Sequence, residues 1–409
     1  MTIKNKDSII IAINQCDYGS TGNIMLNSLE YAHEYGPFDV LACIPYETKQ
    51  INKVRTLSFA VKISKIKRYY YAILRRLKFP IINDGNYYKE YTKRLIQLIK
   101  QESGNYKTTI IHMHNMHMCN LDVNVFYRWL GKHNEYKVLY TLHDCWTFTG
   151  GCYCYDFIGC NKWQHDCKKC PQHIKYSNHQ LRKRTKLINK IPKLTLVPCS
   201  KWLEAEITKS RLKNIETIVN NGETSLEPFV GKSNLKEKLG ITNKKILISV
   251  SAYWNDWKGI KYLYKLADLL PNDYILILVG GSLDEKHNKI IHIPLINDNK
   301  LLAEYYSIAD VFVSTTQSDN LPLVLMEAQI CGLPIVGFGH GGTPEEITEK
   351  SGIMVGTDND VNKLFSTIVH VIDSKEFRKE DIIASGNRFK KNECSKRQLS
   401  IYKNVIHDI

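Results

Sequence analysis

The chain has 409 residues, more than one ordinary domain holds and enough for two. With 43% hydrophobic and 24% charged residues it lies near globular averages, which excludes disorder and collagen-like structure. Lys plus Arg (56) exceeds Asp plus Glu (41) for a net charge of +15, which calls for an anionic partner that nucleic acid, anionic lipid or a phosphorylated substrate would each satisfy.

Short apolar runs alternate with longer helical patterns, which predicts an α/β protein with parallel sheets flanked by helices. The run Ile9–Ile13 is too short for a signal-peptide core, and no 18 consecutive apolar residues follow anywhere, so a cytoplasmic protein is expected. A first strand is expected over Ile9–Asn14. Gly19, Ser20, Thr21 and Gly22 form the turn after it, with Ser20 or Thr21 capping a helix that runs to about Glu34. Further strands at Phe38–Cys43, Leu57–Ile63, Thr109–Met113, Lys137–Thr141 and Leu194–Pro198 complete one Rossmann-like unit.

A second series follows at Lys245–Ala252, Tyr274–Val279, Lys289–Ile293, Val311–Ser314, Pro334–Gly337 and Gly352–Val355. Between the two, Asn220–Ser233 is polar and aperiodic with Gly, Pro and Ser, and reads as the hinge. The expected domains are 1–215, with a cysteine-rich insert at 145–171, and 216–385; a C-terminal helix at 386–409 returns to the first domain. Two facing sheets of this kind leave a cleft at the carboxyl ends of their strands, where open α/β sheets bind ligands.

The densest chemistry lies in Ser314–Glu345, STTQSDNLPLVLMEAQICGLPIVGFGHGGTPE. Asp319 falls in the loop after a strand, and Glu327, eight positions on, falls on the helix opened near Pro322. Eight positions carry a helix about 80° beyond two turns, so the two carboxylates can serve different parts of one elongated ligand. Between them, free N–H groups near Leu323 and Val324 can accept a phosphate at the helix N-terminus. The pair Gly341-Gly342 lets backbone approach a ligand closely.

This segment resembles the retaining glycosyltransferases of family 4, which have the two-Rossmann GT-B fold and carry two acids separated by seven residues. The resemblance implies that Asp319 contacts donor-sugar hydroxyls, with Asn320 beside it, and that Glu327 contacts the nucleotide ribose. Aspartate replaces the more usual glutamate at the first place. Lys258, in SVSAYWNDWKG, resembles the family's lysine for the donor diphosphate; many relatives carry arginine five residues earlier, where this chain has Tyr253. His143, in TLHDCWTFTGGC, resembles the family's active-site histidine, which orients a donor hydroxyl. The Gly19–Gly22 loop and the longer HDCWTFTGGCYCYDFIGCNKWQHDCKKCPQ are similar to a subgroup associated with bacterial surface-polysaccharide synthesis, capsule and O-antigen among them. His112, His114 and His117 remain unassigned.

Six of the twelve cysteines fall between Cys145 and Cys170, and reduced thiols clustered in this way suggest metal before disulfide. Cys160, Cys167 and Cys170, with Cys152 or else Cys154 as the fourth ligand, fit a closed structural zinc site; catalysis needs no cofactor. Two basic runs, Lys65–Pro80 with its interleaved aromatics and Leu181–Lys193, fit either solvated helix faces or docking on the anionic inner face of the cell membrane.

The expected activity is therefore transfer of a sugar from a nucleotide-diphosphate donor to a saccharide or polyprenyl-diphosphate-linked acceptor. Two readings compete. A GT-B nucleotide-sugar epimerase would turn over donor without acceptor, and a zinc-containing nucleic-acid-binding protein would bind RNA or DNA in a salt-sensitive way. The latter leaves Ser314–Glu345 unexplained, so no nucleic-acid partner is expected.

Overall fold

The computed structural model describes residues 6–46, 54–61, 85–283 and 285–407, with side chains of 85–87 left aside. Strands β1 (Ser8–Ile13), β2 (Phe38–Ile44), β3 (Thr56–Ser58), β4 (Thr108–Met113), β5 (Lys137–Leu142), β6 (Leu194–Pro198) and β7 (Glu216–Thr217) form one sheet in the order β3-β2-β1-β4-β5-β6-β7. A second sheet, ordered β10-β9-β8-β11-β12-β13, contains β8 (Lys245–Ser251), β9 (Tyr274–Gly280), β10 (Ile290–Ile293), β11 (Val311–Ser314), β12 (Ile335–Gly337) and β13 (Gly352–Met354). Every pairing within both sheets is parallel.

The strand sequences explain this arrangement. Runs such as Ser8–Ile13 and Tyr274–Gly280 are buried at every position, as strands covered by helices on both faces must be. On one face of the first sheet Ile9, Ile11 and Ile13 join Leu95 and Phe126; on the other Ile10 and Ala12 join Leu29, Leu399 and Tyr402. The last two belong to helix Lys391–His407, which thus crosses from the second half of the chain to pack on the first sheet. A backbone bond from Thr224 N to Phe389 O ties that crossing to the connection between the domains.

Local details depart from the expected ones. Helix Gly19–Tyr35 begins after Tyr18 with no side-chain cap, so neither Ser20 nor Thr21 caps it; Thr21 Oγ1 instead accepts from Asn115 Nδ2 at 3.1 Å. The strand expected over Leu57–Ile63 pairs with β2 only at Thr56–Ser58, and its end lies outside the described residues. Lys65–Pro80 also lies outside them. The second basic run falls on helix Ser177–Ile188, whose Leu181, Arg184, Thr185 and Ile188 are buried, so this helix faces the core and Arg184 is not a surface charge. Among the described residues no helix is long and apolar enough to cross a membrane.

Candidate active site

The loops at the carboxyl ends of both sheets meet. Asn320, in the loop after β11, donates from Nδ2 to the backbone carbonyl of His143 after β5 at 2.8 Å, and Cys145 Sγ stands 3.7 Å from its Oδ1. Ser318 Oγ donates to Asp156 of the insert, and Phe157 meets Trp257 edge-on at 6.3 Å between centroids. Glu345 reaches from the second half to the N-terminus of helix Lys201–Thr208, its two oxygens accepting from Lys201 N at 2.8 Å and Trp202 N at 3.0 Å. A carboxylate fits there because the first N–H groups of a helix lack intrahelical partners and its dipole favours negative charge. Ser200 Oγ accepts from Leu203 N and completes the cap.

Between these contacts lies a cavity of about 20 Å³ lined by residues of β8 and β11 together with Trp254, Lys258, Asp319, Pro322 and Val324. Lys258 ends a one-turn helix, Asp256–Lys258, begun by Asn255, whose Oδ1 accepts from Lys258 N at 3.1 Å. Its ammonium donates to Asp319 Oδ2. Burial works against the charged amine, but Asp319 more than reverses this and holds the pKa above the ordinary lysine value. Lys258 is the one cation among the described residues lining this cavity. Tyr253, at the place where the family resemblance leads one to expect arginine, points to solvent at 73% exposure.

Helix Leu323–Ile330 starts at Pro322 with no side-chain cap, and its Leu323, Val324 and Glu327 share the partly exposed face. Glu327 accepts from Tyr306 OH at 2.9 Å, and burial raises its pKa to about 7. The glycine pair works differently from expectation. Gly341 has φ of +61°, and a Cβ there would meet Asp319 O at 2.1 Å; one on Gly342 would meet Asn320 O at 1.8 Å. What Gly341-Gly342 approach is the Asp319–Asn320 backbone, with Gly342 N donating to Asp319 O at 2.9 Å. They set the position of the acid rather than leave room for a ligand.

His143 directly follows β5 of the first sheet, and its Nε2 lies 3.1 Å from His114 Nδ1, with the rings stacked at 5.4 Å. Burial lowers its pKa to about 4, so the ring is neutral and offers one donor and one acceptor. His112 and His114 are buried on β4; His112 bonds Tyr402 OH and Thr141 Oγ1, both at 2.7 Å. Gly19, Ser20, Thr21 and Gly22 form the first turn of their helix rather than a turn preceding it, with Gly19 and Ser20 exposed and Gly22 buried.

The insert is held by three one-turn helices, Trp146–Phe148, Asp156–Ile158 and Lys162–Gln164. Burial and the neighbouring Cys170, Cys167 and Cys160 raise the Cys152 thiol to about 12, and Cys152 hydrogen-bonds Cys170. Cys154 turns away to Ser318 in the second domain. Among the described residues no group of three or more His, Cys, Asp or Glu is arrayed to hold a metal ion as it stands.

Sequence reading did not assign Glu345, Ser318 or Asp156 a task. Glu345 was visible in the motif, but its role depends on helix Lys201–Thr208 being 144 residues away in sequence and adjacent in space.

Residues 231–388 match the family Glycosyl transferases group 1. A protein of Klebsiella pneumoniae described as an uncharacterized 41.2 kDa protein in the cps region is 26% identical over 310 residues, 73% of this chain and 79% of that protein. The putative colanic acid biosynthesis glycosyl transferase WcaC of Escherichia coli is 23% identical over 62% of this chain and 65% of its own length. Among solved structures, sucrose-phosphate synthase from Thermosynechococcus elongatus superposes with a TM-score of 0.69 at 16% identity, over 98% of this chain and 99% of its own. HepE of Anabaena in complex with UDP-glucose superposes at 0.67 and 15%, over 97% and 99%. These likenesses show the fold: two parallel-sheet domains of the GT-B glycosyltransferase type.

Proposed function

We propose that this enzyme, whose residues 231–388 carry a Glycosyl transferases group 1 domain, is a family 4 glycosyltransferase that moves a sugar from a nucleoside-diphosphate donor to a saccharide or lipid-linked saccharide, with retention of configuration, in surface-polysaccharide synthesis. The observation that carries it is the gathering of Lys258, Asp319 and the start of the Leu323–Ile330 helix at one end of β8 and β11, joined through Asn320 to the backbone of His143, whose ring lines an adjoining cavity with His114. The Lys258 ammonium neutralises charge that develops on the departing diphosphate, aided by the free N–H groups of Leu323 and Val324. Asp319 and neutral His143 orient sugar hydroxyls, and Glu327 holds the ribose. Because a cavity of about 20 Å³ has room for about one water, a nucleotide sugar enters only when Lys258 and Asp319 part and the domains open. Reclosure through Asn320 and Glu345 then excludes water from the activated donor.

Support for the substrate classes comes from relatives. A neighbour in fold was solved with UDP-glucose, and a Campylobacter jejuni relative, 25% identical over 44% of this chain and 52% of its own, is named as an N,N'-diacetylbacillosaminyl-diphospho-undecaprenol alpha-1,3-N-acetylgalactosaminyltransferase. The experiment is a thermal-shift screen of nucleotides and nucleotide sugars, with product anomers assigned by NMR. Glu327→Ala is expected to abolish the nucleotide-dependent shift; a variant that responds like wild type refutes the donor-site placement.

Cys152, Cys160, Cys167 and Cys170 are the proposed ligands of a structural zinc, which would draw the four thiols together and stiffen the insert that carries Asp156. Their mutual approach around Cys152 supports this choice over Cys154. Metal analysis of the purified chain is expected to find about one zinc per chain, lost in Cys170→Ser; a folded, metal-free protein would remove the proposal. Peripheral docking on an anionic membrane surface through Lys65–Pro80 is checked by flotation with anionic liposomes.

A further inference from the structure

We infer that the acceptor is engaged as a pyranose ring stacked on an aromatic ledge at the carboxyl edge of the first sheet, centred on Tyr153 with the His117 side chain buried behind it. This rests on the transferase reading above. Strands β2, β1, β4 and β5 are consecutive neighbours, so the loops that follow them share one edge. Each loop presents a large apolar side chain to solvent: Tyr46 after β2, Tyr18 after β1, Met118 after β4 and Tyr153 after β5 are 56%, 66%, 54% and 45% exposed. Three strand intervals of about 4.8 Å make this edge roughly 15 Å long, which suits a short saccharide.

The ledge is built, not merely bare. His117 lies between Trp146 and Tyr153, with ring centroids 5.2 and 5.0 Å away, and the Arg184 guanidinium stands 3.8 Å from the Trp146 ring centroid. Four planar groups therefore pile up with Tyr153 outermost, and the bond from Cys145 N to Tyr153 O at 3.1 Å fixes its backbone. Polar groups are interleaved: His117 Nε2 is 3.6 Å from Asp144 Oδ2, and Asn120 Nδ2 donates to Tyr46 OH at 2.9 Å. The His117 side chain is 7% exposed, and burial with Arg184 and His143 nearby lowers its pKa to about 4, so it backs Tyr153 as a neutral ring, while the Asp144 carboxyl, 21% exposed, is the oxygen pair open to hydroxyls.

A pyranose has one face of C–H bonds that packs on aromatic rings and a rim of hydroxyls that needs such polar partners. An acyl chain has no use for the polar rim. A phosphate headgroup needs accessible cations, and the cation of this stack, Arg184, is buried and engaged by the carbonyls of Thr147 and Thr149. The ledge is also continuous with the donor site, because Asp144 follows His143, whose carbonyl accepts from Asn320.

The test is saturation-transfer-difference NMR with a panel of p-nitrophenyl hexopyranosides and N-acetylhexosaminides, recorded with and without UDP. Wild type is expected to saturate ring C–H protons of at least one glycoside. Tyr153→Phe retains the effect and Tyr153→Ala reduces it several-fold, up to about tenfold, the range that one lost aromatic contact is worth. Because Tyr153 does not line the cavity of Lys258 and Asp319, the UDP thermal shift of Tyr153→Ala stays as in wild type. No glycoside signal in wild type, an undiminished signal in Tyr153→Ala, or binding of anionic vesicles without any glycoside signal would each overturn the ledge. A chain that shifts with neither UDP nor GDP yet binds glycosides through Tyr153 would refute the donor reading and leave the ledge standing.

Discussion

Replacing Glu345 by alanine removes both acceptors that join the second domain to helix Lys201–Thr208. Hydrogen bonds to a charged group contribute about 1.5–3 kcal/mol each when buried, but Lys201 is exposed, and the two bonds together are taken at roughly 2 kcal/mol. That difference lies between closed and open arrangements of one folded chain, so it shifts their ratio about 30-fold. The assay is hydrogen exchange of a peptide spanning Ser200–Glu204, whose Lys201 and Trp202 amides are covered only through Glu345. In Glu345→Ala these two amides are expected to exchange about 30-fold faster, and small-angle scattering is expected to give a larger radius of gyration, while the melting temperature moves little. Amides that exchange at the wild-type rate in the variant would show that Glu345 does not hold the cleft shut.

Three further outcomes follow from the same geometry. Glu327, with a pKa raised to about 7 by burial, binds its proton more tightly folded than unfolded, so its contribution is present at low pH and lost as pH rises from about 4.5 through about 7. Glu327→Gln, which removes the titration, is expected to gain stability relative to wild type across that window, by up to roughly 3 kcal/mol; parallel stability curves would contradict it. Gly342→Ala places a Cβ 1.8 Å from Asn320 O and must push the Asp319–Asn320 backbone aside, so nucleotide-sugar turnover should collapse in a chain that still folds, as circular dichroism would check. Lys258→Met is expected to weaken UDP binding at least about tenfold by calorimetry, since one charge-assisted partner of the diphosphate is lost; unchanged affinity would exclude the lysine.

Both sheets were legible because each strand is a short apolar run between helical segments, and parallel strands covered on both faces leave that signature. The first helix cap was not. Ser20 and Thr21 are capping residue types, but Asn115, from another loop, engages the Thr21 hydroxyl, and helix Gly19–Tyr35 starts two residues earlier than a Ser20 cap would set it. Asp319 and Glu327 could be picked out by their spacing and surroundings. The pairing of Lys258 with Asp319 could not, because it joins residues 61 apart that meet only when β8 lies beside β11. The same limit hid Glu345: one motif residue acts on a helix end in the other domain. Gly341-Gly342 was correctly marked as a close approach and assigned to the wrong partner, since sequence reveals a missing Cβ without revealing what fills its place.

The most direct measurement is the structure of the chain crystallised with UDP or GDP. The diphosphate is expected within hydrogen-bonding reach of Lys258 Nζ, displacing Asp319 from it, with the ribose at Glu327. A nucleotide bound away from β8 and β11, with the Lys258–Asp319 pair intact, would contradict the account.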